Sequence, residues 1–193
     1  MKIILASKSE VRKKILEKNN ISCLVVPSGV DEDQVKESLL AAGASPILIS
    51  KNLAELKSIK VSKNYQNELV LGADSVISLN NKLINKPNTR QEGLEILKKL
   101  NGSIHYLITS VCISKNGSMI WNFSDQSELE MKKLSEKKIK EYLKKIKTET
   151  LMAYGVYQIE AGGLDLFKTI KGDKESIMGL PIKQVIDYIK TIS

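Results

Sequence analysis

The opening of the chain restricts its fold more than any other feature. Residues 3–5 are a short apolar run, residues 8–19 set Val11, Ile15 and Leu16 on one side of a charged helical pattern, and residues 21–26 return to an apolar run. Strand, amphipathic helix and strand in immediate succession make a β-α-β unit, and the alternation continues. Helical patterns at 35–42 and 47–61 flank the breaker Gly43-Ala44-Ser45-Pro46. An apolar, β-branched run at 68–79 leads through Asn80-Asn81 into residues 82–84 as a hairpin. Residues 90–100 read as a helix closed by Asn101-Gly102, and 104–114 and 119–131 as long strands joined through Lys115-Asn116-Gly117-Ser118. A strand at 164–170 and a closing helix at 181–192, with Pro181 in its first turn, complete the pattern. It predicts an α/β fold with a mixed sheet flanked by helices. Without internal repeat or linker, residues 1–193 are expected to form a single domain.

With 42% hydrophobic and 27% charged residues, the composition excludes a disordered chain. No apolar stretch approaches the roughly 20 residues of a membrane span, and the amino-terminal apolar run is too short for a secretory signal. The expected setting is the cytoplasm. Cys23 and Cys112 lie in apolar strand-like runs and read as reduced, structural thiols, with a disulfide between them as the alternative. The formal charge of +8 raises the question of a polyanionic partner. Only Arg12 and Arg90 among the 30 basic residues are arginine, whereas sequence-specific DNA readers lean on arginine. The densest basic segment, 132–147, reads as a helix capped by Ser135, with Ile139, Tyr142, Leu143 and Ile146 inward and the lysines on a solvated face. These features argue against nucleic acid as the partner.

Phosphate-loop, dinucleotide-loop, nucleophile-elbow and Cys-x-x-Cys motifs are absent, and the one histidine, His105, reads as structural within a strand. What remains is carboxylates and lysines at element ends, the residue types that hold divalent cations and neutralise phosphate oxygens. Leu5-Ala6-Ser7-Lys8-Ser9-Glu10-Val11-Arg12 turns a strand into a helix amino terminus, an anion site to which Arg12 can add a forked donor. Its local alternative is a capping box between Ser7 and Glu10. In Gly72-Ala73-Asp74-Ser75-Val76, an aspartate sits within a β-branched run, where burial is costly unless the carboxylate is paired or metal-bound. Gly72 would allow a ligand to approach closely, and a bulge capped by the aspartate is the alternative. Val30-Asp31-Glu32-Asp33 adds a carboxylate cluster, and Asn85-Lys86-Pro87 sets a lysine just past the hairpin.

Taken in order, these pieces resemble the Maf family of nucleoside triphosphate pyrophosphatases. The resemblance rests on Leu5-Ala6-Ser7 with Ser9, Arg12 and Lys13; on Val30-Asp31-Glu32; on Leu53-Ala54 with Lys57; on Gly72-Ala73-Asp74-Ser75-Val76; and on Lys86-Pro87. Gly102 with His105 and Thr109, then Gly172-Asp173 with Gly179-Leu180-Pro181, extend it along the whole chain. It implies a Maf/inosine-triphosphatase-like α/β fold with two lobes around a cleft, a homodimer in the cytoplasm, and hydrolysis of a nucleoside triphosphate to the monophosphate and pyrophosphate. It implies Asp74 as proton acceptor, Arg12, Lys57 and Lys86 as phosphate-binding cations, and Glu32 with Asp74 beside a divalent cation, Mg²⁺ or Mn²⁺.

Departures from the family pattern concern the base. Members acting on dTTP and UTP carry Arg, Thr and Gln where this chain has Val11, Ser75 and Glu160; the 7-methyl-GTP group carries Trp, Gln and Glu, so only Glu160 is shared. A carboxylate accepts from a guanine edge, whereas Gln pairs with uracil or thymine in both directions. The base stays open between 7-methyl-GTP-like and dTTP/UTP. The competing function is a basic RNA- or partner-binding protein with a decayed active site, acting through the 132–147 helix.

Overall fold

A computed structural model describes residues 2–159 and 162–192. Strands β1 (Lys2–Leu5), β2 (Ser22–Val25), β3 (Val70–Leu79), β4 (Lys82–Ile84), β5 (Ile104–Lys115), β6 (Ser118–Met131) and β7 (Phe167–Lys171) form one mixed sheet in the order β2-β1-β3-β5-β6-β7, with β4 paired to β3. β1 runs parallel to both neighbours, and the other pairs are antiparallel. Helices α1 (Glu10–Lys18), α2 (Glu32–Ala41), α3 (Pro46–Ser62), α4 (Arg90–Leu100), α5 (Glu136–Lys144), α6 (Thr148–Tyr154), α7 (Lys174–Ile177) and α8 (Ile182–Thr191) surround it. The α/β class and mixed sheet are those the sequence predicts.

Side chains alternate across a strand, and here the alternation builds two cores on one face. Leu71 and Ala73 of β3 pack with Val111 and Ile113 of β5 against Leu16, Val185 and Ile189 of α1 and α8. Farther along the same strands, Leu107 of β5 packs with Leu97, Ile139 and Leu151 of α4, α5 and α6, with Ile77 and Leu79 of β3 against them. Between the two clusters on that face stand Ser75 and its cross-strand partner Thr109. α3 covers the opposite face, where Gly72 is essential. A Cβ there would lie 2.2 Å from the Ala54 carbonyl oxygen and 2.8 Å from the Ser58 amide nitrogen. The glycine therefore admits the helix backbone, rather than the ligand anticipated from sequence.

The edge of β3 facing β1 is paired only in part. β1 meets it at Val70 and Leu71, β4 meets it at Ile77 to Leu79, and among the described residues no strand lies beside 72–76 on that side. The cleft opens through this gap, so side chains from both faces of β3 reach it.

Several local expectations need correction. α1 starts at Glu10, and Ser9 caps it by accepting from the Arg12 amide at 3.3 Å. Ser7 is not the cap, because its Oγ accepts instead from the Ser9 amide and the Arg12 guanidinium. Residues 163–166 are a 3-10 turn rather than the start of a strand: the chain reverses at Gly162 with φ 84°, and β7 begins only at Phe167. Pro181 caps α8 from just outside its first turn. The short helices α6 and α7 were not legible. The basic segment is helical over Glu136–Lys144, with Ser135 as cap and Ile139 and Leu143 buried. Both cysteines are free thiols. Among the described residues no helix is long and apolar enough to cross a membrane.

Candidate active site

The cleft has a volume of about 470 Å³ and is lined by residues of the β1–α1 turn, α2, α3, β3, the β4 end, and the 153–159 and 177–179 segments. At its floor the register of β3 presents Asp74 toward α3, where Lys57 points back at it. The Lys57 ammonium lies 2.8 Å from Asp74 Oδ1 and 2.8 Å from Glu32 Oε1. Lys57 and Asp74 are both about 5% exposed, so each charge depends on the other for stabilisation. Ser50 donates to the Asp74 main-chain oxygen at 3.1 Å, tying the strand to α3 at that point. Asp74 Oδ2 is buried and has no hydrogen-bond partner among the described residues.

Glu32 reaches the site because Asp31 caps α2, accepting from the Gln34 amide, and so sets Glu32 in the first turn facing Lys57. The acidic cluster thus divides its roles: Asp31 is a cap, Asp33 faces Lys36 at 3.6 Å, and Glu32 alone meets Lys57. Burial by itself would raise the Glu32 pKa, but Lys57, with Lys86 and Lys36 behind it, holds the carboxyl below its ordinary value.

Arg12 stands on the other face of β3. Its Nε donates to the Gly179 carbonyl at 2.8 Å, Nη1 to Ser7 Oγ at 3.2 Å and Nη2 to Ser75 Oγ at 3.2 Å. Desolvation lowers its pKa despite the opposing pull of Asp74 and Glu32, and an arginine stays charged all the same. Lys86, just beyond β4, is exposed as a residue, yet protein atoms around its ammonium desolvate it and lower its pKa. Its Nζ donates to the Ala153 carbonyl at 2.9 Å, across the cleft in α6.

Asp74, Lys57, Glu32, Arg12 and Lys86 all line one cleft, as do Val11 and Ser75. Glu160 lies outside the described residues. His105 is structural, as expected: it is fully buried, with Nε2 2.9 Å from the Tyr157 hydroxyl, and desolvation lowers its pKa to about 4. Sequence reasoning missed Lys36, whose side chain is 14% exposed and lines the cleft. It also missed Ser7 and Gly179 as partners of Arg12. The Gly179-Leu180-Pro181 breaker was the only available signal for the latter.

Among the described residues no three His, Cys, Asp or Glu side chains cluster closely enough to hold a metal unaided. Two carboxylates completed by phosphate oxygens and water are nevertheless a normal Mg²⁺ environment. Asp74 Oδ2, buried and unpartnered among the described residues, is an oxygen of the kind such a shared site uses, and Glu32 stands across Lys57 from it.

A family model described as Maf-like protein matches residues 2–192. The chain is 59% identical over 190 residues to the nucleoside triphosphate pyrophosphatase of Pelagibacter ubique (strain HTCC1062), covering 98% of this chain and 97% of that protein. It is 34% identical over 190 residues to the nucleoside triphosphate pyrophosphatase of Granulibacter bethesdensis (strain ATCC BAA-1260 / CGDNIH1), covering 98% and 96%. A protein of Rhizobium etli (strain ATCC 51251 / DSM 11541 / JCM 21823 / NBRC 15573 / CFN 42) named 7-methyl-GTP pyrophosphatase is 31% identical over 191 residues, covering 99% and 96%.

Proposed function

The chain belongs to the Maf-like protein family, and from that premise we propose that it hydrolyses a nucleoside triphosphate to the monophosphate and pyrophosphate in this cleft. The observation that carries the site assignment is the buried Lys57 ammonium held 2.8 Å from both Asp74 and Glu32, with Asp74 Oδ2 left for a further partner. Two carboxylates held on one buried lysine, with a carboxylate oxygen left over, favour hydrolysis over a purely binding role.

In this reading Lys57 pairs with Asp74 Oδ1, and Oδ2, which has no hydrogen-bond partner among the described residues, takes a proton from water. The water oxygen forms a bond to the α-phosphorus, the bond from that phosphorus to the bridging oxygen breaks, and the electron pair leaves with pyrophosphate. Arg12, Lys57 and Lys86, joined by Lys36, neutralise the phosphate oxygens as charge moves onto the leaving group. Glu32, with the Asp74 carboxylate beside it, would hold a divalent cation, Mg²⁺ or Mn²⁺, together with the substrate phosphates. When bound, that cation supplies charge neutralisation and lowers the pKa of coordinated water. Val11 and Ser75 stand at the edge where the nucleoside would be read, and Glu160 completes the specificity set. Following the family, the chain acts as a single domain over residues 1–193 and as a homodimer. A cytoplasmic setting suits a nucleotide substrate and two free thiols.

The test is pyrophosphate release from dTTP, UTP, CTP, GTP and 7-methyl-GTP with Mg²⁺ or Mn²⁺, run beside Asp74→Asn. Turnover of at least one nucleotide, lost in the variant, is expected, and the preferred nucleotide decides between the two base classes. A folded protein that releases pyrophosphate from none of them refutes the proposal.

A further inference from the structure

Ser75 and Thr109 form a polar step between the two apolar clusters, and the direction of each hydrogen bond there can be deduced. Thr109 Oγ1 lies 2.9 Å from the Ser176 main-chain oxygen. A carbonyl only accepts, so the single Thr109 hydroxyl proton is committed to Ser176. Ser75 Oγ lies 3.0 Å from Thr109 Oγ1 and must therefore be the donor of that pair. With its proton engaged, Ser75 offers only lone pairs, and Arg12 Nη2 donates to one of them at 3.2 Å. The chain runs one way: Arg12 to Ser75, Ser75 to Thr109, Thr109 to the Ser176 carbonyl. Thr109 and Ser176 are each about 1% exposed, so water does not substitute for either partner.

We infer that Thr109 is a positioning residue for Arg12, acting through Ser75, and that it fixes Ser75 as a hydrogen-bond acceptor toward the cleft. Without the Thr109 oxygen, the Ser75 hydroxyl is free to rotate its proton toward Arg12, where it would repel the guanidinium. The same constraint bears on the ligand. The remaining Ser75 lone pair suits an N–H or O–H of the nucleoside and repels a phosphate oxygen, so the triphosphate lies on the Arg12 side of this hydroxyl. Nη1 and Nε are held by Ser7 and Gly179. With Nη2 on Ser75, the guanidinium plane is fixed at three points before any ligand arrives.

The inference rests on the pyrophosphatase reading for one of its two assays. Thr109→Val keeps the shape and removes the hydroxyl, Thr109→Ser restores it, and both are compared in wild-type and Arg12→Met backgrounds. For the preferred nucleotide, Thr109→Val should lose about tenfold in kcat/KM, mainly through KM, as expected for a misoriented binding group. Thr109→Ser should stay near wild type, and Thr109→Val should add nothing to Arg12→Met. A loss that is additive with Arg12→Met, or equal in Thr109→Ser, or absent in Thr109→Val overturns the inference. If Thr109→Val does not fold, Ser75→Ala interrupts the same chain and must be equally non-additive with Arg12→Met. The second assay is calorimetric binding of pyrophosphate, which Thr109→Val should weaken by a similar factor. If the wild-type protein hydrolyses no nucleotide, the pyrophosphatase reading fails, and this assay still decides the inference: equal affinity in Thr109→Val, or no binding to wild type, overturns it.

Discussion

Gly72→Ala isolates the contact that brings α3 to the active-site strand. The added Cβ would stand 2.2 Å from the Ala54 carbonyl oxygen, where a tolerable contact begins near 3.0 Å, so strand and helix must separate locally by close to an ångström. Both obstructing groups, the Ala54 oxygen and the Ser58 nitrogen, are backbone and have no rotamer to yield. Overpacking of this kind costs about 1–3 kcal/mol, which lowers Tm by roughly 2–12 °C for a chain of this size. The separation falls where Lys57 spans to Asp74, so the 2.8 Å ion pair opens with it and kcat/KM should fall by about 10–100-fold. Gly93→Ala in α4 is the control. Its Cβ meets a Leu151 methyl at 2.9 Å, the movable end of a side chain, while alanine improves helix propensity by up to about 1 kcal/mol. That variant should keep full activity and near wild-type stability. The assays are thermal unfolding and pyrophosphate release. A Gly72→Ala protein with wild-type Tm and rate would refute the reasoning, as would equal losses in both variants.

Asp74→Asn should retain the fold and lose about 10²–10⁴ in kcat, the range for removal of a general base, measured by pyrophosphate release at saturating substrate. Lys57→Met should be less stable than Lys57→Met combined with Asp74→Asn, because the single change leaves a buried carboxylate unpaired; urea unfolding of the two variants checks this. His105 has a folded pKa of about 4 against an ordinary 6.5, so the unfolded chain binds more protons between those values. Stability attributable to neutral His105 is complete above pH 6.5, falls as pH drops toward 4, and amounts to about 3 kcal/mol. Urea unfolding across that window should show a shallower pH slope for His105→Gln than for wild type. Chelation by EDTA should abolish pyrophosphate release, and added Mg²⁺ or Mn²⁺ should restore it.

Asp74 was conspicuous in the sequence because a carboxylate within an apolar β-branched run needs a partner. The identity of that partner was a matter of register, since Lys57 lies 17 positions away on a helix whose docking depends on Gly72. Period and composition located both elements and could not set one against the other; the family resemblance placed both residues in one site, and only the structure shows that they pair. Ser75 and Thr109 show the same limit. Each reads locally as an unremarkable strand residue, and only the β3–β5 register makes them neighbours. The stretch after α5 was least legible, because α6 and α7, at seven and four residues, are too short for a helical period to declare itself. The capping-box alternative at Ser7 fails for a different reason. A serine three residues before a glutamate satisfies the capping pattern, but Arg12 competes for the same oxygen and the next serine takes the cap.

The interval left unpaired between β1 and β4 along β3 covers only residues 72–76, about 16 Å of extended chain. A protein strand would have to enter between two fixed ends to add itself there, so this edge is guarded against aggregation by its length alone. A triphosphate chain has no such difficulty. Amide exchange at Ala73 and Ser75 therefore becomes a local reporter of occupancy: backbone groups alternate between the two edges of a strand, these two N–H groups point to the uncovered side as the Leu71 carbonyl does, and a bound nucleotide shields them while leaving the strand ends at Val70 and Leu79 unchanged.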